Sequence, residues 1–165
     1  MNNELDLDLD LDLDLDLENI TKHHNYCVLS SFIFLTNVLA GLYFKKYLYA
    51  FLFFLLTITS IIHHSSRTKL TNILDKVAVY SIIFYGGYKF YEHYTNTTKT
   101  SQFNDLKIII KYILIVTTFL SVVYLYSYGY LKSNYVFHPE YNVSQLYHIL
   151  MHVISSLGHH IIIAL

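Results

Sequence analysis

His148-x-x-x-His152 places two imidazoles one turn apart on the same face of a helix, where both can reach a single ion. A hydrolytic zinc site usually takes three protein ligands and leaves a fourth position open. His64 is the obvious third donor. His63 is its rival, because neighbouring residues point about 100° apart on a helix and only one can face the site. Ser60 lies one turn before His64 on the same face, and Asp75 stands at the start of the next apolar stretch. Zinc lowers the pKa of water to about 7 and polarises an amide or ester carbonyl, while a nearby carboxylate can carry the proton to the leaving group.

Each of these residues also has a structural reading. Two inward histidines can bond to backbone or hydroxyl groups, Ser60 can bond the carbonyl four residues back, and a carboxylate in a first helical turn is favoured by the helix dipole. The joint pattern favours chemistry, because ionisable groups inside apolar segments are costly and tend to face the bundle interior with a partner or a function. His159 falls on roughly the same stripe as His148 but deeper, and reads as a packing or cavity-lining residue. Asn37, midway along an apolar segment, needs a hydrogen-bond partner.

The elements that must position these groups are membrane helices. The chain has 165 residues, 54% of them hydrophobic, and a mean hydropathy of +0.38. That is too apolar for an ordinary soluble domain of this size and reads as one polytopic, all-α membrane domain. The formal net charge of -1 hides an asymmetry: Glu4, Glu18 and the Asp residues between Asp6 and Asp16 hold eight of the twelve acids. From residue 19 onward four acids face eleven Lys and Arg, a balance of +7. The basic residues are scattered, which argues against nucleic-acid binding. Cys27 is the only cysteine, which excludes an internal disulfide and suits helix packing.

Residues 5 to 18 alternate Leu with Asp, ending on Glu18. With a carboxylate at every second position and no partner strand evident, residues 1–20 are expected to form a solvated, disordered tail. The domain proper then runs from 21 to 165. Five apolar segments follow, roughly 26 to 44, 47 to 64, 74 to 92, 106 to 130 and 145 to 165, each near the length that crosses the hydrocarbon. The fourth, about 38 Å long as a helix, is too short for two crossings.

This count brings the chemistry together. If the chain begins on side A, the second helix returns there at His63 and His64 and the third departs from there at Asp75. The fourth returns to side A, and the fifth starts there with His148 and His152. All the candidate residues therefore share one membrane face.

The pattern resembles the CREST superfamily of membrane hydrolases, the group of alkaline ceramidases, GPI-lipid remodelling enzymes and progestin and adiponectin receptors. That group carries Ser-x-x-x-His at one helix end, an Asp at the start of the next and His-x-x-x-His in the last. The ten residues between His64 and Asp75 are similar to the spacing of the ceramidase and GPI-remodelling branches. Leu74-Asp75-Lys76-Val77-Ala78-Val79 and the run from His148 to Gly158 look like the ceramidase branch. His64-Ser65-Ser66-Arg67 and Leu70-Thr71-Asn72-Ile73-Leu74-Asp75 echo the GPI-remodelling branch.

The resemblance implies Zn2+ held by His64, His148 and His152. It also implies Asp75 holding or deprotonating the attacking water and Ser60 assisting at the oxyanion. The implied activity is hydrolysis of a lipid amide in a ceramide-like substrate with release of a fatty acid, in the endoplasmic reticulum or Golgi membrane. The alternatives are a lipid-ester hydrolase and an inactive protein that keeps its histidines for packing. Two departures stand out. The family has seven helices against about five here, and the acidic calcium-associated stretch before the first ceramidase helix is missing.

Lys and Arg near the helix ends tie, with Lys22, Arg67, Lys69, Lys76 and Lys132 on side A against Lys45, Lys46, Lys89, Lys99 and Lys107 on side B. The resemblance makes side A lumenal. Of the opposed sequons Asn19-Ile-Thr21 and Asn96-Thr-Thr98, Asn19 is then the one expected to carry glycan on expression in a secretory membrane; modification of Asn96 alone reverses the orientation.

Overall fold

A computed structural model describes residues 26–66, 68–99 and 105–165. The expected tail, Asn19, Lys22 and Arg67 lie outside the described residues. Among those described there is no strand. Five helices account for most of them: α1 (Tyr26–Tyr43), α2 (Tyr47–Ser66), α3 (Lys69–Thr98), α4 (Leu106–Lys132) and α5 (Tyr141–Ile163). The all-α bundle expected from hydropathy is what the chain forms.

Four of the five helices, α1, α2, α4 and α5, are long and apolar enough to cross a membrane, as an integral membrane protein requires. The exception is α3, which at 30 residues has the length but carries Lys69, Asp75, Lys76, Lys89 and Glu92. It also extends beyond the apolar stretch 74 to 92 at both ends. Thr68 caps its start by accepting from the Thr71 amide at 3.2 Å, so the helix opens six residues before Asp75. A hydropathy reading sees where the apolar run begins, whereas the helix begins at its cap. No acid therefore lies in the first turn of α3, and the dipole reading of Asp75 falls away. The same correction applies to α5. It starts at Tyr141, just past Pro139, which places His148 and His152 beyond its first turn.

Local chemistry shapes the connections. In α1 the ladder tightens at Phe32 and Ile33, whose amides reach back three residues to Leu29 and Ser30 (both 3.1 Å). Ser30 and Ser31 both donate to the Cys27 carbonyl, at 2.9 and 3.0 Å, and compete there with the backbone. The turn into α2 is a Schellman pair, Lys46 N to Gly41 O (2.7 Å) and Lys45 N to Leu42 O (3.1 Å), with Lys45 left-handed at φ 57°.

α1 packs on α2, α2 on α3 and α4 on α5; α5 closes the bundle against α1 and touches α3, while α3 meets α4 through Phe90, His93 and Tyr94 around Tyr112. The core gathers around α2, where Tyr49 and Phe53 stack at 5.7 Å with planes 7° apart and Phe34 tilts against Phe53 at 6.1 Å. Large apolar side chains such as Leu39, Phe84, Leu120 and Leu131 face outward, as lipid-facing residues do.

Where the surroundings are as apolar as the core, close packing depends on small residues. A Cβ on Gly41 would stand 2.9 Å from the Ala50 nitrogen. One on Gly86 would stand 2.6 Å from His159 Cε1 and 2.7 Å from the Tyr49 hydroxyl, whereas one on Gly87 meets nothing within 4 Å. The neighbouring glycines thus separate packing from propensity. Gly86→Ala is expected to cost about 1–3 kcal/mol by overpacking, and Gly87→Ala to be neutral or stabilising by up to about 1 kcal/mol. Thermal unfolding of the two variants in detergent reads the difference.

Candidate metal centre

His64 lies in the last turn of α2, with 6% of its surface exposed. His148 and His152 project from one face of α5, and His152 is also buried. Antiparallel passage through the bundle brings these two helix regions to one end. The His64 ring lies 4.8 Å from His148 and 5.5 Å from His152, and the α5 pair are 4.8 Å apart, centroid to centroid. One ring nitrogen from each residue lies within 4.8 Å of the others.

The donor set fits a divalent ion. Zinc–imidazole bonds run at about 2.0–2.1 Å, so three nitrogens this close need shift inward by only about 1 Å each. All three candidate donors are imidazoles, with no carboxylate among them, and they would bind an ion as neutral rings.

The His152 ring is held from α1. Its Nδ1 lies 2.9 Å from Ser30 Oγ, and that hydroxyl already donates its single proton to the Cys27 carbonyl at 2.9 Å. When the ring donates from Nδ1 to this hydroxyl, its Nε2 lone pair is left for a metal. An outer hydrogen bond that fixes tautomer and ring orientation is typical of ligating histidines. Phe34 packs on the other side of His152 at 5.0 Å. Cys27 Sγ donates to Gln145 Oε1 at 2.7 Å and ties the start of α1 to the start of α5.

Ser60 is 2% exposed and lies 2.9 Å from Ser31 Oγ. The hydroxyl pair joins α2 to α1. Asp75 lies outside the three-histidine group. Its Oδ1 accepts from Thr59 Oγ1 at 3.3 Å, across the α2–α3 interface. His63 also lies outside it, its ring 5.2 Å from that of His64. The choice between the adjacent histidines is thereby made in favour of His64.

The remaining histidines of α5 serve the interior. His159 Nδ1 meets the Tyr49 hydroxyl at 2.9 Å, and its ring packs edge-on against Phe53. Asn37 donates to the Ser156 carbonyl (3.0 Å) and lies 2.8 Å from His160 Nδ1, while Ser156 Oγ donates back to Asn37 Oδ1 (2.6 Å). Both placements match the packing role expected for His159 and the partner expected for Asn37.

Ser30 is the residue that sequence reasoning missed. It is one of many hydroxyls in apolar helices, and only the α1–α5 contact distinguishes it. No protein-family model, curated protein or solved structure matches this chain.

Ser30→Ala removes the acceptor for His152 Nδ1. Zinc affinity, measured by competition with a chromophoric chelator, is expected to fall about 10- to 100-fold, with Ser30→Thr retaining most of it. An unchanged affinity in Ser30→Ala would show that the contact does not orient the ring.

Proposed function

We propose that the chain is a membrane-embedded, zinc-dependent hydrolase of lipid amides, acting on a ceramide-like substrate and releasing a fatty acid. The observation that carries this reading is the convergence of His64, His148 and His152, from two helices, at one end of an apolar bundle. A soluble amide would not need such a setting, whereas a lipid reaches it from the bilayer. The resemblance to the CREST hydrolases in the Ser60, His64, Asp75, His148 and His152 pattern supports the same reading, and with it an endoplasmic reticulum or Golgi location.

Zinc at the three histidines would supply Lewis acidity, polarising the acyl carbonyl and acidifying water. The protein's own residues supply the rest. His64, His148 and His152 would hold the ion, and Ser30, by accepting from His152 Nδ1, would leave Nε2 free for it. Asp75, placed by Thr59 beside the α2 face, accepts the proton of the attacking water and returns it to the leaving amine. Ser60 clamps the His64-bearing turn to α1 through Ser31. An oxyanion role would require its hydroxyl to turn from Ser31 toward the substrate.

Purified protein is expected to contain about one zinc per chain by elemental analysis, lost in both His148→Ala and His152→Ala. Asp75→Asn is expected to keep the metal and lose at least about a hundredfold in fatty-acid release from ceramide. Zinc absent, or unaffected by the histidine substitutions, overturns the metal centre. Zinc present with release from glycerolipid esters and none from ceramide replaces the amide with an ester. Release from neither overturns the hydrolase.

A further inference from the structure

The end of the bundle opposite the histidines holds a second polar feature. α2 runs from Tyr47 at that end to His64 at the other, and α5 runs from His148 to Ile162 in the reverse sense. Between the α1–α2 turn, the later half of α3 and the end of α5 lies an open crevice of about 470 Å³. That volume is within the usual range of small-molecule sites. Lys45 and Lys46 come from the turn and Lys89 from α3, while Leu48 and Ile162 contribute apolar wall.

The charges in this crevice are poorly balanced. Glu92 is the only carboxylate among the described side chains lining it, and it is engaged by Lys89 at 2.7 Å. Lys46 is left facing another ammonium. Burial, followed by the repulsion of Lys89, presses its pKa below the ordinary lysine value, with Glu92 pulling weakly the other way. Lys45 holds a left-handed backbone (φ 57°) that a residue with a side chain adopts at some cost, and the Schellman turn keeps both lysines at the rim. A bound anion would relieve this concentration of positive charge.

We propose that the crevice binds a phosphate-bearing anion, its phosphate against Lys45, Lys46 and Lys89. Basic pockets between membrane helices are the usual seat of anionic headgroups. The apolar wall beside the lysines suits a ligand whose phosphate continues into an acyl chain. The site is some 25 Å from the histidines along α2, at ~1.5 Å per residue, and it does not depend on what they bind.

The full chain in phosphatidylcholine nanodiscs with added phosphatidic acid provides the test, read as binding by native mass spectrometry and as a rise in unfolding temperature. Each lysine near an anionic headgroup contributes roughly fivefold in affinity, so Lys46→Gln combined with Lys89→Gln is expected to weaken phosphatidic acid binding about thirtyfold. Glu92→Gln, which removes the competing carboxylate, is expected to strengthen it. Inorganic phosphate added to phosphatidylcholine nanodiscs separates the sources. A matching rise there, lost in the double lysine variant, supports phosphate recognition and assigns the ligand to solution rather than to lipid. Phosphatidic acid binding that is equal in wild type and the lysine variant, or weakened by Glu92→Gln, overturns the proposal.

Discussion

Polar side chains turned inward in a lipid-embedded bundle have no water to fall back on, so each must find its partner on another helix. α5 concentrates that demand. His148, His152, Ser156, His159 and His160 lie along one side of it, and hydrogen bonds from α1 and α2 answer four of them. Ser30 on α1 receives His152, Asn37 on α1 takes Ser156 and His160, and Tyr49 on α2 takes His159. These bonds fix the rotation of α5 and its depth beside α1 and α2. The convergence of His148 and His152 with His64 at the end of the stripe follows from that register.

Packing reinforces the register by steric means. Apolar surface is equally at home against lipid or protein, so it cannot by itself decide which faces meet. Close approach at small residues can. Gly41 admits Ala50, Gly86 admits the Tyr49 and His159 pair, and Gly158 admits Thr118. Polar matching and close approach therefore coincide at the Tyr49–His159–Gly86 junction, where three helices meet.

Much of this was legible in the chain. The apolar segments located the helices to within a few residues except at α3 and the start of α5. In both cases the helix extends into polar sequence, because a capping threonine or the residue after a proline sets the boundary and hydropathy does not record it. His148-x-x-x-His152 was legible because helical periodicity needs no tertiary information. Asp75 was visible as a residue, but its setting was misread: it stands past the first turn and bonds Thr59, which no local rule discloses. Ser30 could not be singled out at all, since its significance lies in a contact across 122 residues of sequence.

The sequence by itself determined the all-α class, the membrane setting, the pairing of His148 with His152 and the parity that brings His64 to the same end. All of these depend on composition, periodicity and segment count. The packing of the helices was needed to choose between His63 and His64, to join Ser60 to Ser31, to set His152 against Ser30, and to gather Lys45, Lys46 and Lys89 around one crevice. The physical reason is common to all four. Each depends on the rotation of one helix about its axis relative to a neighbour, which interhelical hydrogen bonds and glycine contacts determine and which no single helix encodes.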